Sequence, residues 1–342
     1  MSGRLRLAIV GTVHPHSPLY QELLLHMPQV EIAAVYDDGG TVVEGFERVP
    51  RYDSLDRLLT RARFEAALVT VPNDRGGEVC CRLVEAKKHV LADKPVCRTA
   101  EEMRQVVEAV RKAKVKFAVG YQRRFHPVHQ RAKAVVRAGR AGALRALAAR
   151  LITTDAASRG ADHYLFNRAR SGGGVLHWLG CHVIDLIRDL TGSEFAGVEA
   201  LAGNTGEVAV DVEESAALAF RLECGAVGSL LAAYAIPFAS GSPYKESPKE
   251  SEIAAYGSLA KVAYEPFGDR FELVRYQAEE GAPLVERCGR HALQAVPGYE
   301  GALGRALVSD FLDAVRQDRP PSATEVDNLR VLEVIDAAYG RA

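Results

Sequence analysis

The stretch Gly172-Gly173-Gly174-Val175-Leu176-His177-Trp178-Leu179-Gly180-Cys181-His182-Val183-Ile184-Asp185-Leu186 sets polar side chains in an apolar helical frame behind three glycines. Spaced i, i+4 and i+7, Trp178, His182 and Asp185 share one stripe of an α-helix, while His177 lies roughly 140° from His182 at about 100° per residue. An imidazole in such a frame suits general acid and base work near neutral pH. The same pattern is also met by a core histidine bonded to a backbone carbonyl. Lys94, in Ala92-Asp93-Lys94-Pro95, follows a strand-like run. An ammonium at the end of a strand can donate to a hydroxyl or carbonyl oxygen and stabilise negative charge developing there. Gly11-Thr12-Val13-His14-Pro15-His16 occupies the place of a dinucleotide-binding turn, but keeps only the first glycine of GxGxxG; Val13 and His16 stand at the other two. Asp37 suits the ribose hydroxyls of an adenosine and disfavours a 2′-phosphate, so NAD is expected over NADP. Its plainer role is a polar turn before Gly39-Gly40. His14 and His16 could face one ion, but no carboxylate or cysteine is close in sequence, and no metal site is expected.

These groups need elements to carry them. Leu5 to Val10 reads as a buried strand, followed by a helix in which Ser17 is the N-cap and Pro18 opens the first turn, with Leu19, Leu23 and Leu24 as its apolar stripe. Strands at Glu31 to Tyr36, Ala66 to Val71, His89 to Ala92 and Lys116 to Val119 alternate with helices at Ser54 to Arg61, Val79 to Ala86 and from Thr99 to about Lys112. Thr99-Ala100-Glu101-Glu102 is a capping box. Strands separated by crossover helices imply a doubly wound parallel sheet that binds ligands at the carboxyl ends of its strands. After residue 120 the pattern changes. A helix from about Pro127 to Ala138 leads into long strands, with hairpins at Ala216 to Leu222 and Ala226 to Tyr234, and at Glu252 to Tyr256 and Lys261 to Tyr264. Pro237 to Glu250 carries no periodicity and reads as a loop, and helices at Leu303 to Arg316 and Glu325 to Tyr339 end the chain.

The 342 residues suggest roughly two domains at about 150 residues each. The division falls at 1–122 and 123–342, with the C-terminal helices free to pack back on the first domain. Lys and Arg total 43 against 44 Asp and Glu, so no cationic surplus exists to neutralise nucleic acid or an anionic membrane. No apolar run approaches the roughly 18 residues of a membrane span, and the N-terminal run ends in Gly and His rather than a cleavage site, so a cytoplasmic location is expected. Cys80, Cys81, Cys97, Cys181, Cys224 and Cys288 have no metal-ligand spacing and read as reduced packing residues.

As an ordered set, these pieces resemble the Gfo/Idh/MocA family of sugar and inositol dehydrogenases over almost the whole chain. Val71-Pro72-Asn73 is similar to its TPN segment and Lys94-Pro95 to its EKP motif. Gly120-Tyr121-Gln122-Arg123-Arg124-Phe125-His126-Pro127 resembles the start of its second domain, and Gly180-Cys181-His182-Val183-Ile184-Asp185 its GxHxxD helix. The resemblance implies an N-terminal Rossmann domain and a C-terminal α+β domain with a large, open, mainly antiparallel sheet that binds substrate and makes homodimers or homotetramers. It implies NAD held around Gly11, Thr12, Val13, His14, Asp37, Pro72, Asn73, Asp93 and Lys94. Lys94 and His182 become the catalytic pair, acting on a hydroxyl or carbonyl of a sugar, cyclitol or polyol. Tyr121 and Arg124 would bind further hydroxyls or a carboxylate, with Asp162 and His163 as additional candidates and Trp178 and Asp185 beside them.

Three positions depart from the family pattern. Two turn glycines are missing, Gly76 replaces a frequent histidine, and Trp178 stands where relatives often keep a catalytic aspartate. An indole cannot share a proton as a carboxylate does. Catalysis on Lys94 and His182, with Asp185 or Asp162 lending negative charge, is one reading. A second is an enzyme that retains NAD and performs elimination, hydrolysis or epimerisation through transient oxidation. A third is a binding protein without catalysis on the same fold.

Overall fold

The computed structural model describes residues 3–204, 206, 208–237, 249–278, 283–288 and 295–341. The stretch 238–248, most of the loop expected after Pro237, lies outside them. Two units emerge: Met1–Gln122 with Leu293–Leu329, and Arg123–Ala292 with Arg330–Ala342.

Unit 1 alternates strand and helix through β1 (Leu5–Val10), α1 (Ser17–Leu25), β2 (Val30–Tyr36), β3 (Arg51–Tyr52), α2 (Leu55–Arg61), β4 (Ala66–Val69), α3 (Asn73–Glu85), β5 (His89–Ala92), α4 (Ala100–Ala113) and β6 (Phe117–Val119). The strands align β3-β2-β1-β4-β5-β6, every pair parallel. Burial on both faces explains the unbroken apolar runs of β1 and β4. From β1 the chain winds outward to β2 and β3, then returns to β4 and winds the other way. This reversal opens the crevice beyond the carboxyl ends of β1 and β4 where such sheets hold ligands.

Two expectations shift at helix starts. His16, not Ser17, is the N-cap of α1, and the Ser17 hydroxyl donates instead to the carbonyl of Gly11 at 2.9 Å. α3 begins at Asn73, six positions before the expected start. Glycines hid that first turn, yet one is required there: a Cβ at Gly76 would lie 1.8 Å from the carbonyl oxygen of Val96. Of the expected capping box one arm forms, Thr99 Oγ1 accepting the Glu102 amide at 3.2 Å, while the Glu102 carboxylate accepts the N–H of Arg98 at 2.9 Å rather than that of Thr99.

Unit 2 comprises α5 (Pro127–Arg137), β7 (Leu144–Thr154), short helices α6 (Ala156–Arg159) and α7 (Arg168–Ser171), and a π-helical turn at Leu176–Gly180 running into α8 (Cys181–Thr191). Strands β8 (Phe195–Gly203), β9 (Ser215–Leu222), β10 (Val227–Ile236), β11 (Lys249–Gly257), β12 (Ala260–Tyr264), β13 (Phe271–Arg275) and β14 (Val285–Cys288) follow. The eight strands align β14-β13-β12-β11-β7-β10-β9-β8, antiparallel except β7 with β10. Strict alternation buries Leu218, Phe220 and Leu222 of β9 on one face, with Leu147 and Leu151 of β7, against which α5 and α8 pack. On the sheet's strands Leu201, Val227 and Leu231 are exposed.

Helix α9 (Ala302–Arg316) packs on α1 and β5 within unit 1. The boundary between units falls inside α10 (Glu325–Ala338), after Leu329. Among the described residues no helix is long and apolar enough to cross a membrane.

Candidate active site

In unit 1 the parallel ladder continues past the strand ends. Gly11 N–H donates to Tyr36 at 3.0 Å, Thr70 to Val10 at 2.8 Å, Asp93 to Val69 at 2.9 Å and Gly120 to Ala92 at 2.9 Å. Gly11, Thr70, Asp93 and Gly120 therefore stand side by side on the carboxyl edge, with Lys94 and Tyr121 next in sequence. Gly11 adopts φ +100°, and a Cβ there would lie 2.6 Å from the Thr70 carbonyl oxygen, so only glycine turns the chain tightly enough.

The turn's amides meet an acid that spacing did not single out. Asp38 Oδ1 accepts the N–H of Thr12 at 2.7 Å and of Val13 at 3.1 Å. The Thr12 hydroxyl lies 2.7 Å from Asp37 Oδ1 and itself accepts from Gly40 N–H at 2.9 Å. Asp37 lines a cavity of about 490 Å³ together with Gly39, Arg51, Tyr52, Asp53 and Arg57. Burial opposes its ionisation, but hydrogen bonds from Thr12 and Gly39 and the charge of Arg51 hold its pKa below the usual value.

Asp93 binds the turn to β5. Its Oδ2 lies 2.8 Å from His16 Nδ1 and 3.4 Å from His14 Nε2, and its Oδ1 accepts the Tyr20 hydroxyl at 3.0 Å. Burial alone would raise this carboxyl's pKa; His16, then His14 and Lys94, outweigh it and hold the pKa far below the ordinary range. The three ligand atoms lie within 4.8 Å of one another, the spacing of a metal site. One hydrogen bond argues otherwise. His14 Nδ1 accepts the amide of His16 at 3.1 Å, so the ring proton sits on Nε2, the nitrogen facing Asp93. A protonated Nε2 donates to a carboxylate and cannot ligate an ion. Lys94 is 1% exposed, an ammonium carried inside the protein directly after this carboxylate. Tyr121 is buried, and its hydroxyl oxygen accepts from Asn328 at 2.9 Å.

In unit 2 the glycine-rich stretch is pinned by a carboxylate. Glu213 accepts the N–H groups of Gly174 at 2.9 Å and Leu176 at 3.0 Å and the hydroxyl of Tyr339 at 2.7 Å. A Cβ at Gly174 would come 2.0 Å from the Glu213 carbonyl oxygen, which explains that glycine. The next residues are not the regular α-helix expected: Leu176–Gly180 is a π-turn. Bonds from i to i+5 hold about one more residue per turn than α-helical bonds, so the angular spacing along this stretch is smaller than the roughly 100° per residue of an α-helix. The roughly 140° separation of His177 from His182 expected for a regular α-helix therefore does not carry over to this turn. His177, Trp178 and His182 are all buried. The His182 ring meets Phe267 edge-on at 5.7 Å, and the Arg123 guanidinium lies 4.4 Å from the centre of the same phenyl ring.

Asp185, one turn beyond His182, accepts both Nε (2.9 Å) and Nη2 (2.6 Å) of Arg124, and both residues are buried. Arg124, expected on substrate, is thus committed to a forked ion pair that ties α8 to the start of the unit. A second chain runs beneath it: His129 links the Tyr264 hydroxyl and Asp189, each at 2.8 Å, and Lys133 reaches Asp189 at 2.7 Å. Asp162 is exposed, and His163 Nδ1 accepts the amide of Leu165 at 3.3 Å, capping a short helical turn.

Asp38 was legible only as a second acid beside Asp37, while Glu213 lies so far from the helix it caps that no local signal marks it.

A sheet in the order β3-β2-β1-β4-β5-β6, a glycine turn and acids at the end of β2 define a dinucleotide-binding α/β oxidoreductase, joined in one chain to an open-sheet α+β unit. The comparisons name the family. Residues 5–121 match the family described as "Oxidoreductase family, NAD-binding Rossmann fold" and residues 129–262 match the "GFO/IDH/MocA C-terminal domain". The chain belongs to the Gfo/Idh/MocA oxidoreductase family, and its first unit is an NAD-binding Rossmann domain. It is 26% identical over 186 residues to 1,5-anhydro-D-fructose reductase of Ensifer adhaerens, 54% of this chain and 55% of that one. It is 26% identical over 293 residues to myo-inositol 2-dehydrogenase of Thermotoga maritima, covering 82% and 78%. The chain spans about half the length of the first curated relatives it matches. A levoglucosan dehydrogenase solved with NADH and levoglucosan superposes with TM-score 0.82 at 18% identity, covering 98% of this chain and 97% of that one.

The residues of unit 1 fit NAD. Asn73 Oδ1, at the start of α3, is buried without a hydrogen bond among the described residues, an acceptor left for a ligand donor. Asp37 and its cavity suit the adenosine end. The donor set of the turn is narrower than in a glycine-rich loop, because Pro15 has no N–H and Asp38 takes those of Thr12 and Val13.

Proposed function

We propose that the chain is an NAD-dependent oxidoreductase acting on a hydroxyl or carbonyl of a sugar, cyclitol or related polyol. The observation that carries this reading is Lys94, a buried ammonium at the carboxyl end of β5 in an NAD-binding sheet. Bound NAD supplies the hydride acceptor. Asp37 and Asn73 hold it, with the Gly11 to His14 turn alongside. Lys94 donates to the substrate oxygen and lowers its basicity, and His182 takes the hydroxyl proton in the oxidative direction. Arg124 acts through Asp185, fixing the helix that carries His182, and Tyr121, Asp162, His163 and Trp178 are assigned to the substrate's surroundings. The open sheet face, with Leu201 and Leu231 exposed, supports assembly into homodimers or homotetramers, and the reading keeps a cytoplasmic location.

The test is direct. Titration of NAD+ and NADP+, followed through the fluorescence of Trp178, is expected to show tighter binding of NAD+. Reduction of NAD+ across a panel of sugars and polyols is then measured for the natural protein and for Lys94→Ala and His182→Ala. Each variant is expected to lose about 10²- to 10⁴-fold in turnover. Near-normal activity in both overturns the assignment. NAD+ binding without net formation of NADH on any panel member favours transient oxidation instead.

A further inference from the structure

Arg159 closes α6 directly after the end of β7, before Gly160 turns the chain at φ +86°. Its guanidinium folds back onto neutral groups. Nε donates to the carbonyl of Thr154 at 2.9 Å, Nη2 donates to the hydroxyl of Thr153 at 3.1 Å, and Cζ lies 5.1 Å from the centre of the Tyr234 ring. Both threonines are buried. The acid within electrostatic reach, Asp155, is used elsewhere: its Oδ1 accepts the Ser158 amide at 2.8 Å as the cap of α6. Other arginines of this unit meet carboxylates, Arg124 on Asp185 and Arg188 on Glu194. Arg159 forms no ion pair among the described residues, and its Nη1 makes no hydrogen bond there. Burial works against its charge, and its pKa is lowered accordingly.

The place of this cation bears on chemistry. Tyr234, beneath the guanidinium, is within electrostatic reach of Arg159, of Glu213, which is engaged by the Gly174 and Leu176 amides, and of Cys181, the residue before His182. A planar fork with one edge anchored on neutral acceptors and the other edge unused matches a carboxylate held by two parallel bonds, geometry that an ammonium lacks.

We infer that Arg159 recognises a carboxylate on the substrate, so that the sugar or polyol taken is a sugar acid of the aldonic or uronic class. This rests on the oxidoreductase reading above, and binding separates the two. D-Gluconate, D-glucuronate and D-galacturonate are titrated calorimetrically into the NAD+-loaded protein beside D-glucose, D-galactose and myo-inositol, and kcat/KM is measured for each. The acids are expected to bind at least tenfold more tightly than the neutral sugars, in keeping with the roughly tenfold to hundredfold worth of a charge-assisted hydrogen bond. Arg159→Gln is expected to bring the acid-to-neutral ratio toward one through KM, with the Kd for NAD+ unaltered, and Arg159→Lys to restore part of it. Equal affinity for acids and neutral sugars in the natural protein overturns the inference, whether or not the variants fold. So does a preference that survives Arg159→Gln. Selective binding of acids without hydride transfer upholds it and defeats the oxidoreductase reading instead.

Discussion

Thr12 and Asp38 are bound to each other where a dinucleotide turn usually presents its amides to phosphate. The Thr12 N–H reaches Asp38 Oδ1 at 2.7 Å, and the same oxygen takes the Val13 N–H at 3.1 Å. An internal carboxylate therefore satisfies donors that a glycine-rich loop leaves to its ligand.

Asp38→Ala is expected to destabilise unit 1 by roughly 1.5–3 kcal/mol per charged hydrogen bond lost. Removing one of the two acids at the end of β2 also removes repulsion toward a 2′-phosphate. The preference for NAD+ over NADP+, measured by calorimetric titration, should narrow in this variant. An unchanged ratio of the two Kd values would show that Asp38 shapes the turn alone.

The buried Arg124–Asp185 pair is expected to behave unlike a surface ion pair. Arg124→Met takes the forked partner from a buried carboxylate, at a cost of up to about 3–5 kcal/mol; Asp185→Ala should cost less, because Arg124 Nη1 also lies 3.8 Å from Asp189, and the double variant should recover part of the larger loss. Denaturant melts of the four proteins in a double-mutant cycle measure the coupling. Additive losses in the double variant contradict it.

Glu213 holds the start of the π-turn by two backbone amides and Tyr339. Tyr339→Phe removes one hydrogen bond and should cost about 1 kcal/mol. Glu213→Ala strands two buried amides and should cost more, with a larger fall in kcat than in substrate affinity because His182 loses its frame. Circular dichroism melts and steady-state kinetics distinguish the two effects.

Acid sensitivity follows from Asp93 and Asp189, both held below the ordinary carboxylate range. Their folded pKa values lie below the unfolded value of about 4, so the unfolded chain binds more protons as pH falls, and stability drops from about pH 5 downward. His129 has a lowered pKa for a different reason, since burial disfavours the charged imidazole and outweighs Asp189, and it adds a loss of the same sign below about pH 6.5. Thermal melts from pH 7 to pH 3 should show both limbs. Asp93→Asn should flatten the lower one, and an undiminished acid limb in that variant would remove Asp93 as its source.

How much of this was legible beforehand depends on range. β1 and its glycine turn, the Thr99 N-cap, Asp37 after β2 and the β9–β10 hairpin rest on residues close in sequence, where local sterics and periodicity decide. The His182 helix was visible for the same reason, but its internal register was not. Apolar spacing cannot distinguish a π-turn from an α-turn, and the carboxylate capping that stretch comes from Glu213, far along the chain. The start of α3 was missed because Gly76 reads as a breaker, although close approach of Val96 requires it.

By itself the sequence determined the alternation of strand and helix, the residues offered at the carboxyl edge, and the absence of any cationic excess for nucleic acid. Tertiary structure alone decided which of those groups are already committed. Asp93 is filled by two histidines and a tyrosine, Arg124 is spent on Asp185, and Asp38 faces the turn, whereas Asn73 Oδ1 and Arg159 Nη1 keep unused hydrogen-bonding capacity among the described residues. The reason is physical: propensity and periodicity act between neighbours along the chain, but the satisfaction of a buried polar group depends on whichever distant residue the fold brings to it.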